Sequence, residues 1–204
     1  MSVSNYIIPF KQISIEDLPK VGGKNASLGE MFNQLSSKGI NIPDGFALSA
    51  DAYRLFRKEN KIEQALNDLL ESLDRNNLSN LSSIGEKARE LISKSTLPEE
   101  IKKQCKEAYL NLCEQCGIKV LDVAVRSSAT AEDLPTASFA GRMESFLNIS
   151  GVEQLLEAIH RCYISLFTDR AIKYRLDMGF VDMDIAISAG VQQMVRSDKA
   201  SSGV

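Results

Sequence analysis

Two short stretches of the sequence carry residue types that could bind an anion, and the first begins at a pair of glycines. Gly22 and Gly23 stand directly before Lys24, which opens a segment with helical periodicity. Unpaired N–H groups at a helix N-terminus and a nearby ammonium group both favour a phosphate. The stretch is not a Walker A sequence, because G-x-x-x-x-G-K-[ST] is absent. A simple turn followed by a solvated lysine is the other interpretation, and spacing alone favours it.

The second candidate is Arg126, which follows residues 120–125, a run that is apolar except for Asp122 and that predicts a buried strand. A guanidinium at the end of such a strand can face a cleft and bind phosphate oxygens bidentately. The next residues, SSATAEDLPTASFAGRM (127–143), offer hydroxyls and backbone N–H groups that suit a flexible cover over phosphates. An arginine paired with Glu132 or Asp133 beside an ordinary mobile loop fits the residue types equally well.

The cysteines and the histidine are weaker candidates for chemistry. Cys113 and Cys116 form a C-x-x-C, but no second pair lies at zinc-finger spacing. At helical spacing Cys105 and Cys116 share a face, which suits packed small apolar groups. His160, the sole histidine, lies in an apolar helical pattern, so a surface or hydrogen-bonded, partly buried position is expected. We therefore expect no metal site within this chain.

Periodicity predicts the elements that position Lys24. An apolar stripe at i, i+3, i+4 and i+7 predicts a helix from Lys24 to Lys38, with Gly39 as its stop. Residues 45–48 are predicted to be extended, and Ser49 is expected to cap a helix through about Asn60. Residues 62–116 are predicted to be almost wholly helical. The first half of the chain is therefore mainly helical.

Beyond Gly117 the pattern changes to alternating strands and helices. Residues 144–149 and 185–195 are predicted to be strands. Ser150 and Thr168 are expected to cap helices. The whole predicts an α+β fold with two interleaved subdomains, residues 1–117 and residues 118–204.

Composition limits the classes of function. The chain has 204 residues, 44% of them hydrophobic, and a net charge of −3. It therefore lacks the overall positive field that attracts nucleic acid or an anionic membrane. No apolar run approaches the roughly 18 to 20 residues of a membrane span, and the N-terminus lacks the pattern of a signal peptide. With four cysteines spread along the chain, we expect a cytoplasmic protein without a disulfide framework.

Four longer phrases together resemble the N-terminal nucleotide-binding domain of the phosphoenolpyruvate synthase family, also called pyruvate, water dikinases. They cover the chain in the family's order. The wider family includes pyruvate, phosphate dikinase and rifampin phosphotransferase. The phrases are VGGKNASLGEM (Val21 to Met31), AVRSSATAEDLPTASFAG (Ala124 to Gly141), SLFTDRAIKYR (Ser165 to Arg175) and SAGVQQMVRSDKASSGV (Ser188 to Val204).

The resemblance implies an ATP-grasp fold and a role for five residues of this chain. Lys24 and Arg126 would contact the phosphates of ATP. Gly141 and Ser145 would belong to a loop that closes over them, and Gln192 would line the nucleotide pocket. Ser145 stands where the family commonly has threonine, and it keeps the hydroxyl. For Gln192 the residue pattern alone indicates only a strand position.

The resemblance also implies a reaction that this chain shares with other domains. ATP, pyruvate and water would become AMP, phosphoenolpyruvate and phosphate through a phosphohistidine on a mobile domain, and another domain would bind pyruvate. The protein ligands of Mg²⁺ are expected outside this chain, and a homodimer is expected when the protein is full length. We expect the 204-residue piece alone to be inactive. A sibling dikinase or antibiotic phosphotransferase, or a non-catalytic nucleotide-binding module, is the alternative.

Overall fold

The computed structural model describes residues 5–130, 144–179 and 185–195, which form a mixed fold of helices and strands. The strands are β1 (Ile7–Pro9), β2 (Gly45–Leu48), β3 (Asp122–Ala129), β4 (Ser145–Ser150) and β5 (Ile187–Gln193). The helices are α1 (Leu18–Leu35), α2 (Ala50–Glu59), α3 (Glu63–Glu71), α4 (Leu81–Ser93), α5 (Glu99–Gln115), α6 (Val152–Ser165) and α7 (Asp169–Asp177).

The strands form one antiparallel sheet in the order β1-β2-β5-β3-β4. Strands β1 and β2 precede residue 117 and the other three follow it. The two groups are joined because β2 pairs with β5, with Gly45 opposite Gln192 and Leu48 opposite Ala189. The sheet therefore combines strands from both predicted segments, and their division into subdomains remains a prediction.

Alternation along the strands gives the sheet two different sides, because successive side chains point to opposite faces. We call the first the bundle face, where α2, α5 and α6 contact the strands and α4 packs outside α6. Its core is apolar and contains the strand residues Phe46, Leu48, Val123, Val125, Ala189 and Val191. We call the second the α1 face, where α1 packs over a smaller cluster of Phe10, Ile13, Val21, Ala26 and Ala47.

Helix α1 begins earlier than the periodicity predicts. It starts at Leu18 rather than Lys24, and it contains a kink at Gly22, whose φ of 72° and ψ of 164° are not helical. Only glycine adopts this conformation readily, because it has no Cβ. Lys24 thus lies just after a kink inside the helix. The stop is confirmed, since a short 3₁₀ turn after Leu35 ends at Gly39 with φ of 79°.

Most of the other predicted elements are confirmed. Helix α2 begins after Ser49, which stands at the N-cap position but makes no side-chain capping hydrogen bond. Thr168 caps α7 by accepting a hydrogen bond from the backbone N–H of Ala171. Ser150 does not cap α6, because Gly151 stands at that position. Strand β1 was not predicted, since three residues at a sheet edge leave too little alternation to recognise. Within the described ranges, no helix is both long and apolar enough to cross a membrane.

Candidate functional site

Strand β3 holds Arg126 between two neighbouring strands. The strand continues to Ala129, so the prediction that Arg126 ends the strand is wrong. Arg126 lies opposite Ser145 of β4 on one side and opposite Gly190 of β5 on the other. Arg126 is exposed, whereas the preceding Val125 is buried in the core of the bundle face. Since side chains alternate, Arg126 emerges on the α1 face.

Gln192 lies on that same α1 face. It stands opposite Ala124, which is two residues before Arg126 on β3. Its side chain is buried, and its Nε2 donates a hydrogen bond to the carbonyl of Pro43 at 3.2 Å. Arg126, Ser145 and Gln192 therefore occupy one face of three adjacent strands, as a shared binding surface requires.

Helix α1 crosses this face and brings Lys24 to it. At Gly22 an added Cβ would lie 2.4 Å from Ser128 Oγ and 2.7 Å from the carbonyl oxygen of Ala129. The kink is thus pressed against the end of β3, and Lys24 follows two residues later with an exposed side chain. Asn25, the next residue, lies against Gly190 of β5, so the backbone of Lys24 is held close to the sheet between these two contacts.

A buried polar network fixes α1 to the sheet, and sequence reasoning assigned it no role. Asn25 is 1% exposed, and its Nδ2 donates to the carbonyl of Val21 and to Ser188 Oγ, both at 3.0 Å. Ser188 Oγ in turn donates to the carbonyl of Leu48 at 2.7 Å. A Cβ on Gly190 would lie 2.1 Å from Asn25 Oδ1. An asparagine two residues after the Gly22–Gly23 pair was the only signal for this network in the sequence.

Two predictions concern residues outside the described ranges. Gly141, expected in a loop over the phosphates, belongs to residues 131–143. The alternative partners of Arg126, Glu132 and Asp133, belong to the same range. The role of Gly141 and the alternative pairing of Arg126 therefore both stay predictions.

The weaker candidates have structural roles in the fold. His160 is partly buried, with Nε2 2.9 Å from the carbonyl oxygen of Ile92, which confirms the expected hydrogen-bonded position. Cys105 is buried, and burial raises the pKa of its thiol to about 12, so the thiol stays protonated and unreactive near neutrality. Cys113 is also buried, at the end of α5. Among the residues that the structure describes, no cluster of three His, Cys, Asp or Glu side chains is arranged to hold a metal ion.

The arrangement on the α1 face suits an anion with several oxygens. Lys24 and Arg126 supply two positive charges, and Ser145 supplies a hydroxyl on the strand next to Arg126. Arginine offers a planar fork of donors that matches phosphate oxygens, and lysine offers a compact charge. A surface of this kind can bind and orient phosphates.

Comparison with known proteins agrees with this chemistry. The chain belongs to the family described as pyruvate phosphate dikinase, AMP/ATP-binding domain, whose model matches residues 18–204. Phosphoenolpyruvate synthase of Synechocystis is 51% identical over 97% of this chain, and that of Neisseria meningitidis 46% over 98%. The Escherichia coli phosphoenolpyruvate synthase is 43% identical over 98% of the chain. The chain spans about a quarter of the length of these relatives, since it covers 25% of each.

Proposed function

We propose that this chain is the N-terminal ATP-binding portion of a phosphoenolpyruvate synthase. In that reaction ATP, pyruvate and water yield AMP, phosphoenolpyruvate and phosphate through a phosphohistidine on another domain. The names of the relatives and the family membership support the assignment. An ATP-grasp-like arrangement, in which further structure closes over the α1 face, is part of the proposal.

The observation that carries the proposal is the placement of Arg126. Its position opposite Ser145 and Gly190 sets an exposed guanidinium on the face that α1 crosses. Lys24 follows the kink at Gly22, which packs against β3, and this supports the proposal that its ammonium group reaches the same face. Two cations supplied by separate elements can contact different oxygens of one polyphosphate, which a single solvated lysine cannot do.

The chemistry assigned to these residues is binding and charge stabilisation. Phosphoryl transfer passes through a state with negative charge spread over the phosphate oxygens, so fixed cations and positioning supply most of the catalysis. Arg126 would hold oxygens bidentately, Lys24 would neutralise charge, and Ser145 would donate its hydroxyl. Gln192 would line the pocket, although its amide nitrogen is already bonded to Pro43.

Other parts of the enzyme complete the proposed reaction. Magnesium would accompany ATP, with protein ligands outside this chain, and the phosphohistidine and the pyruvate site would lie on other domains. A homodimer and an inactive isolated 204-residue piece belong to the same proposal. A sibling enzyme of the family would differ in the acceptor domain rather than on the α1 face.

The test is phosphorus NMR of the full-length gene product with MgATP, with and without pyruvate, and in separate tubes with pyruvate plus inorganic phosphate and with rifampin. The proposal expects AMP, inorganic phosphate and phosphoenolpyruvate, formed only when pyruvate is present. Pyrophosphate or a phosphorylated antibiotic would assign the protein to a sibling enzyme. Unchanged ATP in every tube would contradict a catalytic role and favour a binding module.

A further inference from the structure

We propose that Asn25 is a positioning residue. It fixes the distance between the Gly22–Lys24 turn and strands β3 and β5, and phosphate binding depends on that distance. This inference rests on the proposed function, because its consequence is measured at the ATP site. Asn25 itself is buried and is not offered as a contact to nucleotide. It would act through the segment on which Lys24 stands.

The contacts of Asn25 link α1 to two strands. Its Nδ2 donates to Val21 on α1 and to Ser188 on β5, each at 3.0 Å. Its backbone N–H points to Ser128 Oγ on β3 at 3.5 Å. Ser128 and Ser188 lie directly opposite each other in the β3–β5 pairing. One asparagine therefore spans the pair of strands that also carries Arg126 and Gln192.

The Val21 bond lies at the kink. Val21 immediately precedes Gly22, where the helical conformation is interrupted. A side-chain donor to the carbonyl four residues earlier competes with regular helix bonding and often accompanies a bend. The Asn25 amide thus stabilises the carbonyl next to the kink and secures Gly22 and Gly23 on the sheet.

The shape of the sheet beneath Asn25 fits this role. Gly190 has no side chain, and a Cβ there would collide with Asn25 Oδ1 at 2.1 Å. At Gly22 a Cβ would collide with Ser128. Helix and sheet therefore approach each other closely at Gly22 and at Asn25. The distance between α1 and the strands at these two points is set by hydrogen bonds rather than by large apolar side chains. A displacement of about 1 Å at a catalytic group can lower a rate about 100-fold.

The experiment compares Asn25→Ala with Asn60→Ala in the full-length protein. Asn60 is a matched control, because its amide donates to Phe56 at 2.8 Å and to Thr96 at 2.9 Å, and its oxygen accepts from the Thr96 N–H at 3.1 Å. Those bonds join α2 to the loop before α5, away from the α1 face. We expect kcat/KM for ATP to fall about 10- to 100-fold in Asn25→Ala. Asn60→Ala should keep it within about twofold, although it removes three side-chain hydrogen bonds and Asn25→Ala removes two.

A second readout makes the result independent of catalysis. Amide hydrogen exchange of residues 18–35 should become faster in Asn25→Ala than in Asn60→Ala, because the anchored turn loosens. Equal kcat/KM values in the two variants with unchanged exchange would overturn the proposal. If Asn25→Ala does not fold, the same comparison is made with Ser188→Ala, which removes one hydrogen-bond partner of Asn25. Normal kcat/KM and normal exchange in Ser188→Ala would then overturn the proposal.

A wild-type enzyme without activity would refute the proposed function, while exchange would still test whether Asn25 anchors α1.

Discussion

The two faces of the sheet are built by different means. On the bundle face, aromatic and aliphatic side chains fill the interior. The ring centroid of Tyr163 lies 5.1 Å from that of Phe56 and 4.9 Å from that of Tyr53. On the α1 face the apolar cluster is small, and Asn25, Ser128 and Ser188 are buried between helix and strands. Hydrophobic packing is strong but non-directional, whereas hydrogen bonds fix position. Packing on the bundle face thus contributes most to the stability of the fold, whereas hydrogen bonds on the α1 face fix the position of α1 relative to the strands.

This contrast predicts that substitutions on the two faces separate activity from stability. The largest effect on activity is expected for Arg126→Ala in the full-length protein. Removing an exposed guanidinium that stabilises transferring phosphate should lower kcat/KM about 10²- to 10³-fold, with an unchanged melting temperature. The measurement is steady-state kinetics beside thermal unfolding.

The control for Arg126 is Arg161→Ala. Arg161 of α6 is also exposed and lies on the bundle side of the sheet. Its guanidinium carbon lies 4.3 Å from the centroid of the Phe146 ring. We expect near-normal activity in this variant. Near-normal turnover in Arg126→Ala as well would show that Arg126 is not a phosphate-binding residue.

The opposite pattern is expected for Phe56→Ala on the bundle side. Phe56 is fully buried, so the substitution should lower the free energy of unfolding by about 3 to 5 kcal/mol through lost burial and a cavity. Urea unfolding measures the loss. The folded fraction should keep its kcat/KM for ATP; a loss of activity as large as that of Arg126→Ala would contradict the separation of the two faces.

Gly190→Ala should affect both quantities, because it crowds the helix against the sheet. The added methyl group collides with Asn25, so we expect a loss of about 1 to 3 kcal/mol and reduced activity. Gly85→Ala on α4 is the matched variant: a Cβ there meets the side-chain ends of Asp169 at 2.7 Å and Arg89 at 2.8 Å, which can move, and the carbonyl oxygen of Phe167 only at 3.2 Å. A smaller loss and normal activity are expected there. Equal effects on activity would mean that the close approach at Gly190 has no special role.

The smallest expected effect is on the pH dependence of stability, and it belongs to the bundle face. The ordinary pKa of a thiol is 9.0, and burial raises that of Cys105 to about 12. Above pH 9 the unfolded state therefore loses this proton first, and the free energy of unfolding should fall by about 1.4 kcal/mol per pH unit for this thiol. Urea unfolding between about pH 8 and pH 10 should show a shallower fall in Cys105→Ala than in the wild type. Parallel curves would contradict the buried, protonated thiol.

Sequence predicted the elements better than their contacts. Strand β5 and helices α1 and α2 carry clear periodicity, so their existence was predictable and only their bounds moved. The continuation of β3 beyond Arg126 was not, because the small polar residues Ser127 and Ser128 favour a loop by type and become buried only in this sheet.

The candidate site divides in the same way. Lys24 and Arg126 were recognisable by residue type, but the common face of Arg126 and Gln192 depends on the β3–β5 register, which no local pattern contains. Asn25 was invisible as an anchor, since its two partners, Val21 and Ser188, are 4 and 163 residues away in the chain. The pairing of β3 with β4 and β5 brings Arg126, Ser145 and Gln192 onto one face, although they are far apart in the sequence.

The most direct test of the α1 face is hydrogen exchange of the full-length protein with and without MgATP. The account predicts that nucleotide slows exchange in residues 18–35 and in β3, around Lys24 and Arg126. Residues 81–93 of α4, which lie behind the bundle face, should exchange at the same rate in both states. Nucleotide binding that leaves α1 and β3 unchanged, or that protects α4 instead, would contradict the central claim that ATP binds on the α1 face.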